Sequence, residues 1–372
     1  MSETTQTTKL HSIRFSPDVL AKISPELSLQ RHLSIGLRSN LRKFEEFKNV
    51  SLKETGTGRY DDDNNNNSCI LGSSIVKSGS TTIICSISAS LIEDELKSIN
   101  DYSFKLDHDI ISNDLQETIN EDDDNSFESV YVTVKTHSGN GSKIPTLNEQ
   151  NISQQLYDTI KHSKLIPSKS LKVNLGYLSN DEPTTTSTTT TTGGKKKFKF
   201  ILRGDIEVWS CVGPIFDLCY ASLIKSLKCV KLPLVYINEG LNDINTTSTT
   251  TSTAKRDLLS DSKIHYDLKL NTGKIGWCVT YGIVDIDSSV VNNTSDDDAM
   301  DVDDCKKSVL LADLEGESED SIEKRMTVVR TKDGNLSQIS ICTDGGFKIT
   351  KEIITRGLEL SKRRCSDMIN KY

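Results

Sequence analysis

The sequence predicts an α+β protein built in two halves, each a set of strands followed by one packed helix. Three observations carry that prediction. A strand, a tight turn and a buried helix run from Phe198 to Pro233, an early hairpin is written into residues 73–84, and residues 264–370 repeat the plan of strands and then a helix.

In chain order, Ser16 to about Gly36 reads as an N-terminal helical segment. Pro17 stands near its start, Ser24-Pro25 breaks it, and Leu27, Leu29, Leu33 and Ile35 mark a second turn. Glu45 to Lys53 reads as a strand. Cys69 to Leu91 is a strand pair folded on Lys77-Ser78-Gly79-Ser80, which separates Ser73-Ser74-Ile75-Val76 from Thr81-Thr82-Ile83-Ile84. Tyr131 to Lys135 is a short strand, and Asn151 to Leu165 a helix with Ile152, Leu156, Ile160 and Leu165 along one face. Strands are expected at Leu171 to Leu178 and Phe198 to Trp209; in the second, Phe200, Leu202, Ile206 and Val208 alternate with Lys199, Arg203, Asp205 and Glu207. Gly213-Pro214 breaks the chain. Ile215, Leu218, Cys219, Ser222, Leu223 and Leu227 then recur at helical spacing until Lys231-Leu232-Pro233 stops the helix.

The second half holds expected strands at Ile264 to Leu270, Gly276 to Ile286, Ser308 to Leu314, Met326 to Arg330 and Leu336 to Cys342. A last helix runs from Thr350, its cap, to about Asn370, with Ile353, Ile354, Leu358, Cys365 and Ile369 on its buried face. Low-complexity runs at 61–67, 117–126, 184–192, 246–253 and 296–304 interrupt this plan. Polar tracts of this kind bury too little apolar surface to offset ordering entropy, so they read as disordered loop expansions at hairpin tips and connections. The expected division is an N-terminal helical segment over 1–36, a first half over 37–240 with insertions near 57–68, 93–126 and 180–197, and a second half over 258–372 with an insertion near 290–307.

Composition narrows the function classes. No run approaches the roughly 20 apolar residues that cross a bilayer, and the opening MSETTQTTKLHS has no apolar core of a signal peptide, so a soluble intracellular protein with no membrane partner is expected. Nine cysteines, an odd number without a Cys-x-x-Cys pair, mostly sit in apolar runs such as Ile83-Ile84-Cys85-Ser86-Ile87. They read as reduced, packed thiols of a cytosolic or nuclear protein, not as disulfide or metal ligands. Six scattered histidines form no triad, and Gly193-Gly194-Lys195-Lys196 lacks phosphate-loop spacing, so no metal or cofactor is expected. The acidic runs at 61–63, 121–124 and 296–304 hold three, four and six carboxylates, which turns the formal −8 into +5 for the remainder. A mildly basic body fits contact with nucleic acid and fits ordinary surface charge equally well.

Five motifs in order resemble the RNase PH family. Leu37-Arg38-Ser39-Asn40-Leu41-Arg42-Lys43-Phe44 is similar to its Arg-x-Asp-Gly-Arg opening, keeping Arg38 and Arg42 while Asn40-Leu41 replace Asp-Gly. Leu71 to Thr81 matches its Gly-Ser-Ala-x-Val-x-x-Gly-x-Thr hairpin, and the 199–233 segment, the Met326 strand and Gly345-Gly346 before the final helix follow in turn. The resemblance implies an RNase PH-like fold, of the ribosomal protein S5 domain 2-like kind.

Two departures bear on chemistry. Where phosphorolytic members carry Asp-Gly-Gly-Thr-Arg, this chain reads Val212-Gly213-Pro214-Ile215-Phe216, and a phenyl ring donates no hydrogen bond to phosphate. Where they place two acids in Asp-Ser-x-Ala-x-x-Asp-Met-Asn, this chain places Glu319 at the first and Arg325 at the second, and a guanidinium cannot act as an acid or metal ligand. No catalytic residue is therefore expected.

The pattern looks like the non-catalytic branch of RNase PH-like subunits in the eukaryotic RNA exosome. That implies a hexameric ring of RNase PH-like chains, a heterodimer with a catalytic-type-fold neighbour, S1/KH cap proteins, a separate hydrolytic exoribonuclease, and RNA in the channel. It further implies residence in cytoplasm and nucleus, including the nucleolus. Candidate RNA contacts are Arg38, Arg42, Lys77, Lys161 and Lys164, though Gln154 and Asp158 stand on the helix where related chains offer arginines. The competing readings are an active phosphate-dependent 3′-to-5′ exoribonuclease and an autonomous RNA-binding protein of the same fold.

Overall fold

A computed structural model of the chain describes residues 15–55, 70–94, 126–137, 144–173, 197–238, 257–286, 307–342 and 349–371. The low-complexity runs, apart from residue 126, lie outside the described residues, as do Gly345-Gly346, Cys69 and Cys305.

The chain enters through α1 (Pro17–Ile23) and α2 (Pro25–Ser34), each with proline in its first turn, where a missing N–H costs nothing. β1 (Val50–Glu54), β2 (Ile70–Ser78) and β3 (Thr81–Asp94) follow as an antiparallel meander. The β2–β3 turn is the expected one, with Gly79 at φ +60, a conformation that glycine adopts without strain. β4 (Phe127–Glu128) and β5 (Tyr131–Thr136) lead to α3 (Leu147–Ser163), then β6 (Ile166–Pro167), β7 (Lys172–Val173) and β8 (Lys197–Ser210). The first sheet has the order β1-β2-β3-β8-β5, with β5 parallel to β8 and β7 pairing with β8.

α4 (Phe216–Lys228) is the hub of this half. Ten of its thirteen residues are buried, so its apolar surface runs most of the way round and only Asp217, Lys225 and Lys228 lie outside the buried set. It packs on Val76, Ile83, Cys85, Ile87, Leu202 and Ile206, side chains whose burial stabilises by about 1.5–3 kcal/mol each. Its serines are satisfied: Ser226 Oγ donates to Ser74 Oγ at 2.8 Å and Ser74 Oγ to the Ser222 carbonyl at 2.8 Å.

β9 (Lys231–Asn238) and β10 (Asp257–Asp267) then pair antiparallel, ahead of the second sheet. That sheet, in the order β12-β11-β13-β14, comprises β11 (Gly276–Ile286), β12 (Lys307–Ala312), β13 (Arg325–Thr331) and β14 (Leu336–Cys342). The short α5 (Glu317–Asp320) precedes β13, and α6 (Lys351–Lys371) closes the chain. Both faces of β11 are covered: Val279, Tyr281 and Ile283 meet Ile353 and Leu360 of α6, whereas Val284 meets Leu29 and Leu33 of α2. Two-sided burial explains why β11 reads as a nearly continuous apolar run.

The α+β plan is thus observed, with local corrections. The strand expected from Glu45 begins only at Val50, because Lys43 to Glu46 forms a turn and the Lys48 N–H donates to the Asp313 carboxylate at 2.9 Å. Leu171 is in a 3-10 turn and only Lys172–Val173 is strand; residues from 174 lie outside the described set. Pro233 does not merely follow the helix: it lies inside β9, opposite His265 beside an irregularity of β10, a place where a residue without an N–H is tolerated. β10 begins seven residues before the expected Ile264 and ends at Asp267. α3 begins at Leu147, not Asn151, because Thr146 and Glu149 form a capping box. Cys85, Cys219, Cys278 and Cys365 are free and buried, while Cys211 and Cys342 are free and exposed. No helix among the described residues is long and apolar enough to cross a membrane.

Candidate functional site at the seam of the two halves

The positions singled out from sequence converge where the turn before α4 meets the loop between β12 and β13. Gly213, at φ +89, lets that turn lie flat on Leu314; a Cβ there would stand 2.5 Å from the Leu314 carbonyl oxygen. The facing loop carries Asp313, itself left-handed at φ 55, then Glu315 and Glu319. Opposite lie Arg38, Arg42 and Lys48, from the segment between α2 and β1.

Arg38 is fully buried and so is Glu319. Arg38 Nε donates to Glu319 Oε1 at 2.8 Å, Nη2 pairs with Oε2, and the remaining donors reach the carbonyls of Ala312 and of Asp313, the latter at 3.0 Å. The Glu315 N–H donates to Glu319 Oε2 at 2.7 Å. This fork-to-fork geometry engages all three guanidinium nitrogens. The expectation that Arg38 meets RNA is therefore corrected: it is an internal strut with no surface to offer.

Arg42 donates to Glu315 Oε2 at 3.0 Å, to the Asp313 carbonyl at 3.1 Å and to the Glu46 carbonyl at 3.1 Å. Lys48 Nζ lies 3.7 Å from Asp313 and 3.8 Å from Glu315. Arg325 turns back on α5, donating to the Ile322 carbonyl at 2.8 Å and to Asp320 Oδ1 at 3.1 Å. Arg38, Arg42, Lys48 and Arg325 are thus each paired with Asp313, Glu315, Glu319 or Asp320. Among the described residues the charge is neutralised within the seam, which leaves little field there to draw in a phosphate.

Phe216 opens α4 and is nine-tenths buried in the first-half core, where it adds apolar area and no donor. The next residue is polar and anchors the helix. Asp217 is half-buried and accepts from the Thr280 N–H, from Thr280 Oγ1 at 2.6 Å and from Cys278 Sγ at 3.1 Å, which pins the start of α4 to β11. Burial outweighs those hydrogen bonds and pushes its carboxyl up to about 6. Cys211 is no poised nucleophile: although the residue reaches the surface, loss of hydration on its protein side and then the Asp320 charge push its thiol above the usual range. Among the described residues, no three His, Cys, Asp or Glu side chains stand where they could hold a metal.

The candidate RNA contacts are not brought together. Arg38 and Arg42 belong to the seam. Lys77 is exposed near the β2–β3 turn, whose Gly79 approaches Glu315. Lys161 and Lys164 lie beyond the opposite edge of the first sheet, exposed, with their amines 5.9 Å from the Tyr157 ring centre and 5.6 Å from that of Phe127. On the same helix Gln154 donates to Asp158 at 3.1 Å, which engages both departures from the arginine pattern with each other. Lys48, Asp217, Asp313 and Glu315 were missed from sequence. Only Asp217 had a local signal, an acid in the first turn of a helix.

Comparison with known proteins agrees with this fold. Residues 46–233 match the family described as RNase PH, 3′ exoribonuclease family, domain 1. The exosome complex component rrp43 of Schizosaccharomyces pombe is 25% identical over 239 residues, which span 64% of this chain and 69% of that protein. Among solved structures, a chain of an Archaeoglobus fulgidus exosome with RNA bound to the active site superposes with a TM-score of 0.58 over 95% of this chain and 99% of the other, at 15% identity. A chain of an archaeal exosome core gives 0.55 over 95% and 98%, also at 15% identity.

Proposed function

The chain belongs to the RNase PH 3′ exoribonuclease family, and from that membership we propose that it is a structural, non-catalytic subunit of an exosome-type ring that supports 3′-to-5′ processing and degradation of RNA. One observation carries the non-catalytic part. The seam where a phosphorolase needs a free arginine and an acid pair has its cations paired with its own carboxylates, with Phe216 and Arg325 in the deciding positions.

In this reading the chain supplies interface area and channel wall. Its partners are other RNase PH-like subunits, S1/KH cap proteins, a hydrolytic exoribonuclease and RNA, and it works in cytoplasm and nucleus, including the nucleolus. Permanent interfaces of this kind bury upwards of about 2,000 Å², and ring closure needs two different faces per subunit. Exposed Lys77, Lys161 and Lys164 remain the candidates for phosphate contacts.

The test has two parts. Affinity purification of the tagged chain from its own cells is expected to recover other RNase PH-like chains and cap proteins in stoichiometric amounts; recovery of the chain alone would overturn the ring assignment. Incubation of the purified chain with RNA and inorganic phosphate is expected to release no nucleoside diphosphate, and phosphate-dependent release would sink the non-catalytic assignment.

A further inference from the structure

We propose that the groove between the C-terminal ends of α4 and α6 binds an acidic peptide segment of a partner protein through one apolar anchor side chain. This lies beyond the ring reading and does not depend on it. The groove encloses about 410 Å³, with Ile224, Leu268 and Met368 in its floor and Lys225, Lys228 and Lys332 around it. The three floor residues are at most 8% exposed, so the concavity is a fixed feature of the core surface.

The lysines do not have the same origin. Lys225 and Lys228 sit in the last turns of α4, where cations complement the helix dipole. Lys332 comes from the turn after β13 in the other half, beside Met368 and Ile369 near the C-terminal end of α6. Lys225 is paired with Glu54 at 2.8 Å, whereas Lys228 and Lys332 have no ion-pair partner among the described residues. The apolar wall beside the exposed Lys228 first, by thinning its hydration, and then the charges of Lys225 and Lys332 hold its amine below the usual lysine range.

An apolar floor rewards a buried side chain, and a lysine rim rewards carboxylates on either side of it. A peptide alternating acids with a large apolar residue supplies both. RNA fits less well, because Trp277 is the one aromatic side chain in the lining and bases bind through stacking.

The measurement is fluorescence anisotropy of a fluorescein-labelled peptide of alternating glutamate and glycine with one central leucine, titrated with the full chain together with whatever proteins co-purify with it. Saturable, salt-sensitive binding is expected. It should weaken about tenfold when the leucine is replaced by glycine, and about tenfold in the Lys228→Glu/Lys332→Glu protein, whose changes lie at the rim and spare the core. Absence of saturable binding would overturn the proposal. So would binding indifferent to both changes, and so would displacement by oligouridylate as effective as by unlabelled peptide, which would make the groove a nucleic-acid surface. None of these outcomes touches ring membership, which the purification tests separately.

Discussion

Two regions of the molecule gather cations and use them in opposite ways. At the seam, Arg38 is fully buried and forked onto a carboxylate that is buried too. Beyond the far edge of the first sheet, Lys161 and Lys164 are exposed, with the rings of Tyr157 and Phe127 beside them and no carboxylate paired with either among the described residues. The lesson is that a basic residue is read by the acids the fold brings to it. A cation whose carboxylate lies in the same chain serves structure, and one without remains available to a ligand.

The contrast breaks first at its strong end. Arg38→Ala leaves Glu319 charged and buried with little compensation, so a loss of about 3–5 kcal/mol is expected in denaturant unfolding. Arg38→Lys should recover part of it, since the charge returns without the fork. A loss below about 1 kcal/mol would mean that the pair is solvated and the seam open to ligands.

Next comes the half-buried carboxyl at the head of α4. Because the fold raises Asp217 to about 6, above its ordinary 3.8, the folded state holds its proton more tightly than the unfolded chain does. Its contribution is therefore fully present below about pH 4 and fades as pH rises through about 6, by on the order of 3 kcal/mol. Unfolding free energies across that window should show the decline in the natural chain and a flatter profile in Asp217→Asn. Equal slopes would refute the assignment.

The far edge yields smaller numbers. Thr146→Ala removes half of the capping box that starts α3 and should cost about 1 kcal/mol. In contrast to Arg38, Lys161→Ala and Lys164→Ala should change stability by less than about 0.5 kcal/mol each. If either lysine meets a phosphate, removing it makes the salt dependence of RNA binding by the assembled complex shallower by about 0.7 for each phosphate no longer neutralised. An unchanged slope for both would reduce them to ordinary surface charge.

Local signals explain which parts were readable from the sequence. The β2–β3 hairpin was legible because Gly79 sits between alternating runs, and α4 because its apolar positions recur at helical spacing. The capping box at Thr146 and Glu149 was equally local, and it moves the start of α3 four residues earlier than apolar spacing alone suggested. β9 escaped because a proline that stops one element can sit harmlessly inside the next when it lies beside a bulge. The seam was legible only in part. Family motifs pointed to Arg38 and to Glu319 separately, but nothing local to either residue says that they pair across 281 positions. Asp313 is likewise invisible, since its left-handed backbone is imposed by the Arg38, Arg42 and Lys48 contacts around it.

The same pair bears on how the molecule comes into being. Residue 319 leaves the ribosome 281 positions after residue 38, so the first helices cannot be locked in place until β11 and β12 have been synthesised. During that interval the apolar faces of Leu29 and Leu33 have no second sheet to cover them. Leu29 and Leu33 therefore wait for Val284, Leu311 and Leu314 to cover them, and Arg38 for its glutamate, before the first helices have a fixed place.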